Sequence, residues 1–265
     1  RDLCASRGLG DVYKRQRAGV WKPRTRPNSF DGVGQKALEW LKLVKKETSL
    51  KVATEVANTQ HVEACLKSDI DILWLGARTT VNPFYVQEIA EVLRGVDVKV
   101  MIKNPLHPEL SLWIGAIERL NQVGVRQLSA IHRGFFTLEK SAFRNEPKWE
   151  IPIKLKRLLP ELPIICDPSH ISGAPQMLSE VSQIAMDLNM DGLMIETHYN
   201  PSAALSDAQQ QITPKELGVL LDNLILRTST NANNEFRTLL NNLRTEIDVI
   251  DKKLVDIVGQ RTEIV

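Results

Sequence analysis

Residues 162–170 are LPIICDPSH, a short apolar run rich in β-branched side chains that is followed by Asp167 and His170. Seven runs of this kind recur along the chain, at residues 18–22, 50–56, 71–76, 98–103, 125–131, 162–166 and 191–196. Amphipathic helical patterns separate them, at residues 34–47, 59–67, 83–95, 112–124, 174–189 and 214–226. Continuously apolar strands that alternate with helices are typical of parallel strands buried on both faces, so the sequence predicts an α/β fold of repeated βα units.

The residues after these strands distinguish two architectures. An open doubly wound sheet has its site at one switch point, whereas a (β/α)8 barrel brings the carboxyl ends of all strands to one mouth. Nearly every run is followed by charged or hydrogen-bonding residues, which are Lys22, Arg24, Glu55, Arg78, Lys103, His132, Arg133, Asp167, His170, Glu196 and His198. No nucleotide-binding glycine motif supports the open sheet. We therefore expect a (β/α)8 TIM barrel that lacks its first strand, which should precede residue 17.

Composition excludes several classes of protein. The 34 basic and 32 acidic residues give a net charge of +2, so no basic footprint indicates a nucleic-acid or membrane partner. No apolar run is long enough to span a bilayer. Cys4, Cys65 and Cys166 are too few for a disulfide framework, which favours a reducing cytoplasm.

Six cations are predicted to meet at the mouth. They are Arg17, Lys22, Arg24, Arg78, Lys103 and Arg133. Each alone would be an ordinary solvated surface charge. Together, at matching strand ends, they require several anionic groups to offset their repulsion and desolvation. The sequence therefore predicts substrates that carry more than one phosphate or carboxylate.

Three further polar residues have two open interpretations. His170, Glu196 and Asp207 are nitrogen and oxygen ligand types that could share one divalent metal with an open coordination position. In the alternative, His170 is a hydrogen-bonded loop residue and the carboxylates form ion pairs with the cations. His107 and His132 are candidates for acid–base work. Cys166, inside an apolar strand, is better explained as a core residue.

Six motifs together resemble 3-deoxy-D-arabino-heptulosonate-7-phosphate (DAHP) synthase in order, spacing and strand-end placement. They are RAGVWKPRTRP (17–27), GARTT (76–80), IKN (102–104), HRG (132–134), CDPSH (166–170) and IETH…ALSD (195–207). The resemblance covers about residues 17–226. The related enzyme that makes an eight-carbon sugar differs where KPRT stands, and a generic barrel aldolase would have neither KPRT nor GARTT.

The resemblance implies condensation of phosphoenolpyruvate with erythrose 4-phosphate, the first step of the shikimate pathway. It implies that Arg17, Lys22, Arg78, Lys103 and Arg133 bind phosphoenolpyruvate, and that Lys22, Arg24 and Thr25 face the erythrose phosphate. It implies that His170, Glu196 and Asp207 ligate a divalent metal such as Mn or Fe, with Lys22, Lys103 and His170 catalytic. The family's fourth ligand is a cysteine on the first strand. No matching motif precedes residue 17, and Cys4 is not assigned this role.

The C-terminal segment carries a different pattern. Beyond a polar linker at residues 227–234, an apolar heptad stripe is formed by Leu243, Ile247, Ile250, Leu254 and Ile257. LRTEIDVIDKKLVDIVGQR (243–261) resembles the first helix of the all-helical chorismate mutases, which implies that Arg244 and Arg261 bind a dicarboxylate substrate. A plain coiled-coil or dimerisation helix is the alternative.

These observations predict three regions and leave three functions open. The regions are a leader at residues 1–16, a synthase-like barrel at 17–228, and a linker with the first mutase helix at 229–265. We interpret the leader as not native to the protein, and a frayed native terminus is the alternative. The leading hypothesis is a metal-dependent DAHP synthase fused to a chorismate mutase, homo-oligomeric through the barrel and the C-terminal helix. The alternatives are another phosphoenolpyruvate–sugar condensing synthase, or an impaired binding or regulatory fragment.

Overall fold

The computed structural model describes residues 2–3, 15–23, 28–139, 141–226 and 234–264. The chain divides into two compact units, Arg1–Ile225 and Leu226–Val265. Arg24, Thr25 and Cys4, and most of the linker, lie outside the described residues. In the described part, no helix is both long enough and apolar enough to cross a membrane.

The first unit contains one parallel sheet of seven strands in sequential order. A two-residue strand, β1 (Asp2–Leu3), precedes them and pairs antiparallel with the last strand, β9. The strands after β1 are β2 (Arg15–Ala18), β3 (Lys51–Val56), β4 (Ile72–Leu75), β5 (Lys99–Lys103), β6 (Leu128–His132), β7 (Ile164–Cys166), β8 (Gly192–Leu193) and β9 (Ile195–Glu196). Strands β2 to β8 form the sheet, and each is hydrogen-bonded to the next. The predicted α/β fold with a parallel sheet is confirmed.

Helices follow most of the strands, as repeated βα units require. In the described residues they are α1 (Lys36–Thr48), α2 (Thr59–Lys67), α3 (Ala77–Thr80), α4 (Pro83–Val92), α5 (Leu110–Gln122), α6 (Glu150–Leu158), α7 (Pro168–Ser172), α8 (Leu178–Asp187), α9 (Pro214–Asp222) and α10 (Asn234–Ile264). Helix α6 was not predicted, because Pro152 interrupts its pattern. Trp149 is the N-cap, so this proline lies in the first turn, where its missing N–H costs no helical hydrogen bond.

The first parallel strand begins earlier than the predicted run at 18–22. Strand β2 spans Arg15–Ala18, and its Gln16 lies opposite Val52 of β3. After Ala18 the chain leaves the strand and forms a turn. In this turn the Val20 N–H donates to the Ala18 carbonyl and the Lys22 N–H donates to the Asp31 carbonyl. The prediction of a strand at 18–22 was therefore wrong, because local apolar character marked a turn packed on the core.

The sheet separates two apolar clusters. The larger cluster lies between the sheet and its helices. The smaller cluster lies on the other face and consists of Ala53, Ile72, Trp74, Met101, Ile131, Ile165 and Met194. Successive side chains on a strand point to opposite faces, so these two clusters are the outer and inner surfaces of one sheet. We call the smaller one the inner cluster.

The sheet curls so that a side chain of its first strand reaches a side chain on the segment that follows its last strand. In a flat sheet, β2 and β8 would be separated by six strand spacings, roughly 29 Å. Instead, Arg17 Nη2 of β2 lies 3.1 Å from Glu196 Oε1 of β9. Arg17 Nη1 also lies 3.9 Å from the Met194 sulfur. The curled parallel sheet is thus barrel-like, with Arg17 at the seam between its two ends.

The second unit contains α10, a single helix of 31 residues. The predicted apolar stripe lies along it, and its five members are between 47% and 60% exposed. A stripe this exposed stabilises the helix little by itself, because helices derive most of their stability from packing an apolar face.

Candidate active site

Charged residues form a second layer above the inner cluster. Because side chains alternate, the residue two positions after an inward apolar residue also points inward. The pairs are Ala53 and Glu55, Met101 and Lys103, Ile131 and Arg133, Ile165 and Asp167, and Met194 and Glu196. We call Glu55, Lys103, Arg133, Asp167 and Glu196 the charged ring. It lies at the carboxyl ends of the strands, where barrel proteins place their chemistry.

A cavity of about 400 Å³ opens at this end of the sheet. Its charged and histidine lining consists of Arg17, Lys22, Glu55, Arg78, Lys103, Arg133, Arg144, His170 and Asp207. Five of the six predicted cations therefore lie together, and the sixth, Arg24, is outside the described residues. Arg144 was not predicted, because it lies in a loop and follows no strand.

Asp167 is the buried anion of this site. Its carboxylate accepts a hydrogen bond from Lys103 Nζ at 2.9 Å and lies 3.0 Å from His170 Nδ1. It also caps α7 by accepting from the His170 N–H at 3.2 Å. Burial pushes the pKa of Asp167 up, but the charges of His170 and Lys103 outweigh it and hold the pKa well below its usual value. One carboxylate thus orients both Lys103 and His170.

Arg133 is a buried guanidinium with neutral partners. Its Nη1 donates to Asn145 Oδ1 at 2.7 Å and to the Gly134 carbonyl at 3.5 Å. Its backbone N–H donates to Asn104 Oδ1 at 2.7 Å. Within the described part of the chain, no salt bridge involves Arg133. Burial lowers the pKa of Arg133 to about 10. A charge of this kind is suited to receive an anion.

Glu55 lies among the cations. Burial raises its pKa, and the nearby charges of Lys103 and Arg17 oppose this shift. Its position depends on Gly76 at the end of β4, since a Cβ at Gly76 would overlap Glu55 Oε1. Arg17 is positioned by Trp74 as well as by Glu196, because its guanidinium carbon lies 4.6 Å from the centre of the Trp74 ring.

Asp207 is held by two cations from different loops. Lys22 Nζ and Arg144 Nη1 each donate to its carboxylate, the latter at 3.1 Å. Its backbone has a φ of +49°, a left-handed conformation that aspartate adopts more readily than most residues. Burial pushes its pKa up, but the hydrogen bond and charge of Lys22 outweigh this and lower it.

The predicted ligands His170, Glu196 and Asp207 fit a divalent ion by donor type, since one imidazole and two carboxylates suit ions such as Mn or Fe. His170 interacts electrostatically with both carboxylates. Each carboxylate is also ion-paired, Glu196 with Arg17 and Asp207 with Lys22. Among the residues that the structure describes, no group of three His, Cys, Asp or Glu side chains is arranged to hold a metal. The metal site therefore stays a prediction.

Two histidines lie away from the cavity. His132 points to the outer face of the sheet, where its ring lies 5.2 Å from that of Trp149 and 5.8 Å from that of Phe135. Burial lowers its pKa to about 3. His132, a candidate for acid–base work, therefore does not line the cavity, because the last residue of β6 faces outward. His107 is exposed and does not line the cavity.

Arg244 and Arg261 lie on α10, in the second unit. Both are exposed. Seventeen residues separate them, which is roughly 25 Å along a helix. Their predicted role in dicarboxylate binding stays a prediction.

Comparison with known proteins identifies relatives of this chain. A curated phospho-2-dehydro-3-deoxyheptonate aldolase from Thermotoga maritima is 28% identical over 196 residues, which cover 74% of this chain and 56% of that protein. A 2-dehydro-3-deoxyphosphooctonate aldolase from Wolinella succinogenes is 26% identical over 216 residues, covering 76% of this chain and 81% of that protein. The chain thus spans little more than half the length of the first of these relatives.

A solved structure agrees in fold. The crystal structure of phospho-2-dehydro-3-deoxyheptonate aldolase (DAHP synthase) from Thermotoga maritima superimposes with a TM-score of 0.69 at 26% identity, covering 79% of this chain and 59% of that one. The sequence profile of the DAHP synthetase I family matches residues 7–232, which include every strand of the parallel sheet. This chain therefore belongs to the DAHP synthetase I family.

Proposed function

We propose that this chain condenses phosphoenolpyruvate with erythrose 4-phosphate to give DAHP and inorganic phosphate. The observation that carries the proposal is Arg133, a buried guanidinium at the cavity whose hydrogen-bond acceptors are neutral. A buried charge is costly unless an opposite charge compensates it. A phosphate or carboxylate of phosphoenolpyruvate would supply that charge and match the planar geometry of the guanidinium.

The residues at the cavity would bind the two substrates, with Lys22 contacting both. We assign Arg17, Lys22, Arg78, Lys103 and Arg133 to phosphoenolpyruvate, and Lys22, Arg24 and Thr25 to erythrose 4-phosphate. In the reaction, C3 of phosphoenolpyruvate bonds to the aldehyde carbon, water adds at C2, and phosphate leaves. Fixed cations around the carboxylate and phosphate would stabilise the charge that develops there without reorganising. Lys103 is suited to this task because Asp167 fixes its Nζ.

His170, Glu196 and Asp207 would hold the divalent metal. When bound, such an ion supplies Lewis-acid polarisation of a carbonyl oxygen. The chain's own contribution is orientation, because Asp167 holds the His170 ring. Fixing the ring of a ligating histidine through its second nitrogen is a common feature of metal sites.

The choice of aldose is the finer part of the proposal. The KPRT and GARTT motifs favour the four-carbon erythrose 4-phosphate, while the similarity to phosphooctonate aldolases keeps a five-carbon aldose phosphate as the second candidate. The test is phosphate release from phosphoenolpyruvate with erythrose 4-phosphate or arabinose 5-phosphate, with Mn²⁺ and with a chelator. We expect metal-dependent turnover with erythrose 4-phosphate. Turnover with arabinose 5-phosphate alone would favour the second candidate, and binding without turnover would favour a binding module.

For the second unit we propose that α10 begins a chorismate mutase domain and contributes to a homo-oligomer. The uninterrupted helix that carries Arg244 and Arg261, together with its exposed apolar stripe, supports this. The test is conversion of chorismate to prephenate by the protein, compared with its Arg244→Ala variant. Equal mutase activity in the two proteins, or none in either, would contradict the proposal.

A further inference from the structure

Arg144 contacts two candidate metal ligands through a short hydrogen-bond network. Its Nη1 donates to Asp207 Oδ1 at 3.1 Å and also to Gln210 Oε1. Gln210 Nε2 then donates to Glu196 Oε2 at 2.6 Å. One guanidinium is thereby connected to both carboxylates, to Asp207 directly and to Glu196 through a single amide. We call Arg144 and Gln210 the relay.

The side chain of Gln210 and the backbone of Arg144 are held by their surroundings. Gln210 is 1% exposed, so its amide has little freedom to seek other partners. The Arg144 N–H donates to the Ser172 carbonyl at 3.4 Å, which ties this residue to α7, the helix that carries His170. Gly173 follows α7 with a φ of +69°, and a Cβ there would overlap the Arg144 side chain. The fold therefore leaves room for Arg144 at this point.

Asn145 ties the same segment to the rest of the site. Its Oδ1 accepts from Arg133, and its Nδ2 donates to the His170 carbonyl at 2.6 Å. Asn145 thus connects the Arg133 guanidinium to the helix of His170, and its neighbour Arg144 bonds directly to Asp207.

We propose that Arg144 and Gln210 are positioning residues that orient Asp207 and Glu196 for a divalent metal. The inference rests on the proposed function, because it takes these carboxylates as ligands. A carboxylate that ligates a metal keeps lone pairs for a second partner, so a hydrogen-bond donor beside it can fix its direction without displacing the ion. Loss of such outer partners typically costs about 10–100-fold in metal affinity.

The direction of the change in metal affinity distinguishes this proposal from its opposite. If Arg144 competed with the metal for Asp207, removing its charge would tighten metal binding. If it orients Asp207, removing it weakens metal binding. Arg144→Met separates the two, because methionine keeps much of the aliphatic stem and lacks the guanidinium. Gln210→Leu removes the amide at similar volume.

The experiment measures Mn²⁺ affinity of the purified protein from the electron paramagnetic resonance signal of free Mn²⁺. We expect Arg144→Met and Gln210→Leu each to raise the dissociation constant about tenfold or more. The double variant should lose less than the product of the two single losses, since the residues act in one network. Arg157→Met, which removes an exposed arginine of α6, should bind Mn²⁺ like the wild type.

Melting temperatures of all variants, measured by circular dichroism, distinguish positioning from folding. Weaker Mn²⁺ binding at an unchanged melting temperature supports the relay. Unchanged or tighter binding in Arg144→Met would overturn it while leaving the proposed function intact. Wild-type protein that binds no Mn²⁺ would overturn the proposed metal site and the relay with it. If Gln210→Leu does not fold, the result for Arg144→Met decides alone. This variant should fold, because the Arg144 side chain is about half exposed.

Discussion

The inner cluster and the charged ring lie on the same face of the same strands, two residues apart, and have opposite character. Ile131 and Arg133 illustrate this, because both point inward at the end of β6 and both are buried. Ile131 contacts other apolar side chains and needs no further partner. Arg133 makes hydrogen bonds only to neutral groups and gains most when an anion arrives. One step of the strand's two-residue period thus separates residues that stabilise the fold from residues that we propose bind a ligand.

The largest expected effect is on stability. Ile131→Ala removes a fully buried side chain from the inner cluster. We expect the free energy of unfolding to fall by about 2–5 kcal/mol, because the transfer free energy is lost and a cavity remains. Urea denaturation measures this. Activity per folded molecule should stay near the wild-type value, and a loss of activity at full stability would break the division between the two layers.

The matched change in the charged ring should have the reverse effect. Arg133→Met removes the buried guanidinium and keeps an apolar stem. We expect the kcat/KM for condensation to fall about 10²–10³-fold, as when a preorganised donor is removed from an active site. Stability should change little, because the cost of burying a guanidinium that has no direct salt bridge among the described residues is removed together with its hydrogen bonds. Phosphate-release kinetics and urea denaturation measure the two quantities, and retained activity would contradict our assignment of Arg133.

A smaller effect should follow from filling the space beside Glu55. In Gly76→Ala the new Cβ would displace the Glu55 carboxylate, which can move at modest cost because it ends a flexible side chain. Misplacement of a group in an active site can cost up to about 10²-fold, and we expect a loss of about tenfold in kcat/KM. Glu55→Gln, with Gly76 intact, is the control. A full-activity Gly76→Ala protein would show that the position of Glu55 is unimportant.

The smallest effect is expected for an isoleucine in the other unit. Ile250→Ala shortens a side chain that is 56% exposed on α10. Exposed substitutions usually change stability by less than about 0.5 kcal/mol, so unfolding of the first unit should match the wild type. Sedimentation at several concentrations gives a second readout, since the proposed oligomer should dissociate more readily. A stability loss like that of Ile131→Ala would contradict the exposure of the stripe.

The fold and the charged ring were predictable because both follow from local periodicity. Lys103 and Arg133 could be placed at one mouth from strand pattern alone, since parallel strands end together. Helix α6 was not predicted, because Pro152 usually interrupts a helix. Here Pro152 lies in the first turn, where a helix tolerates proline. Arg144 and Gln210 could not be found this way. Arg144 lies in a loop and Gln210 in a short 3-10 helix (Ala208–Gln210), and their proposed roles depend on contacts with Asp207 and Glu196 that no sequence spacing encodes.

Arg17 has a consequence for the motions of the chain. It joins the two ends of the curled sheet through Glu196, and it also lines the cavity. A ligand that binds Arg17 would therefore change the Arg17–Glu196 contact between β2 and the other end of the sheet. Local opening exposes backbone amides to exchange with solvent, at a rate set by the stability of the opened segment. We expect deuterium uptake by the amides of β2 to change on substrate binding, while the central strands β4 and β5 exchange as before.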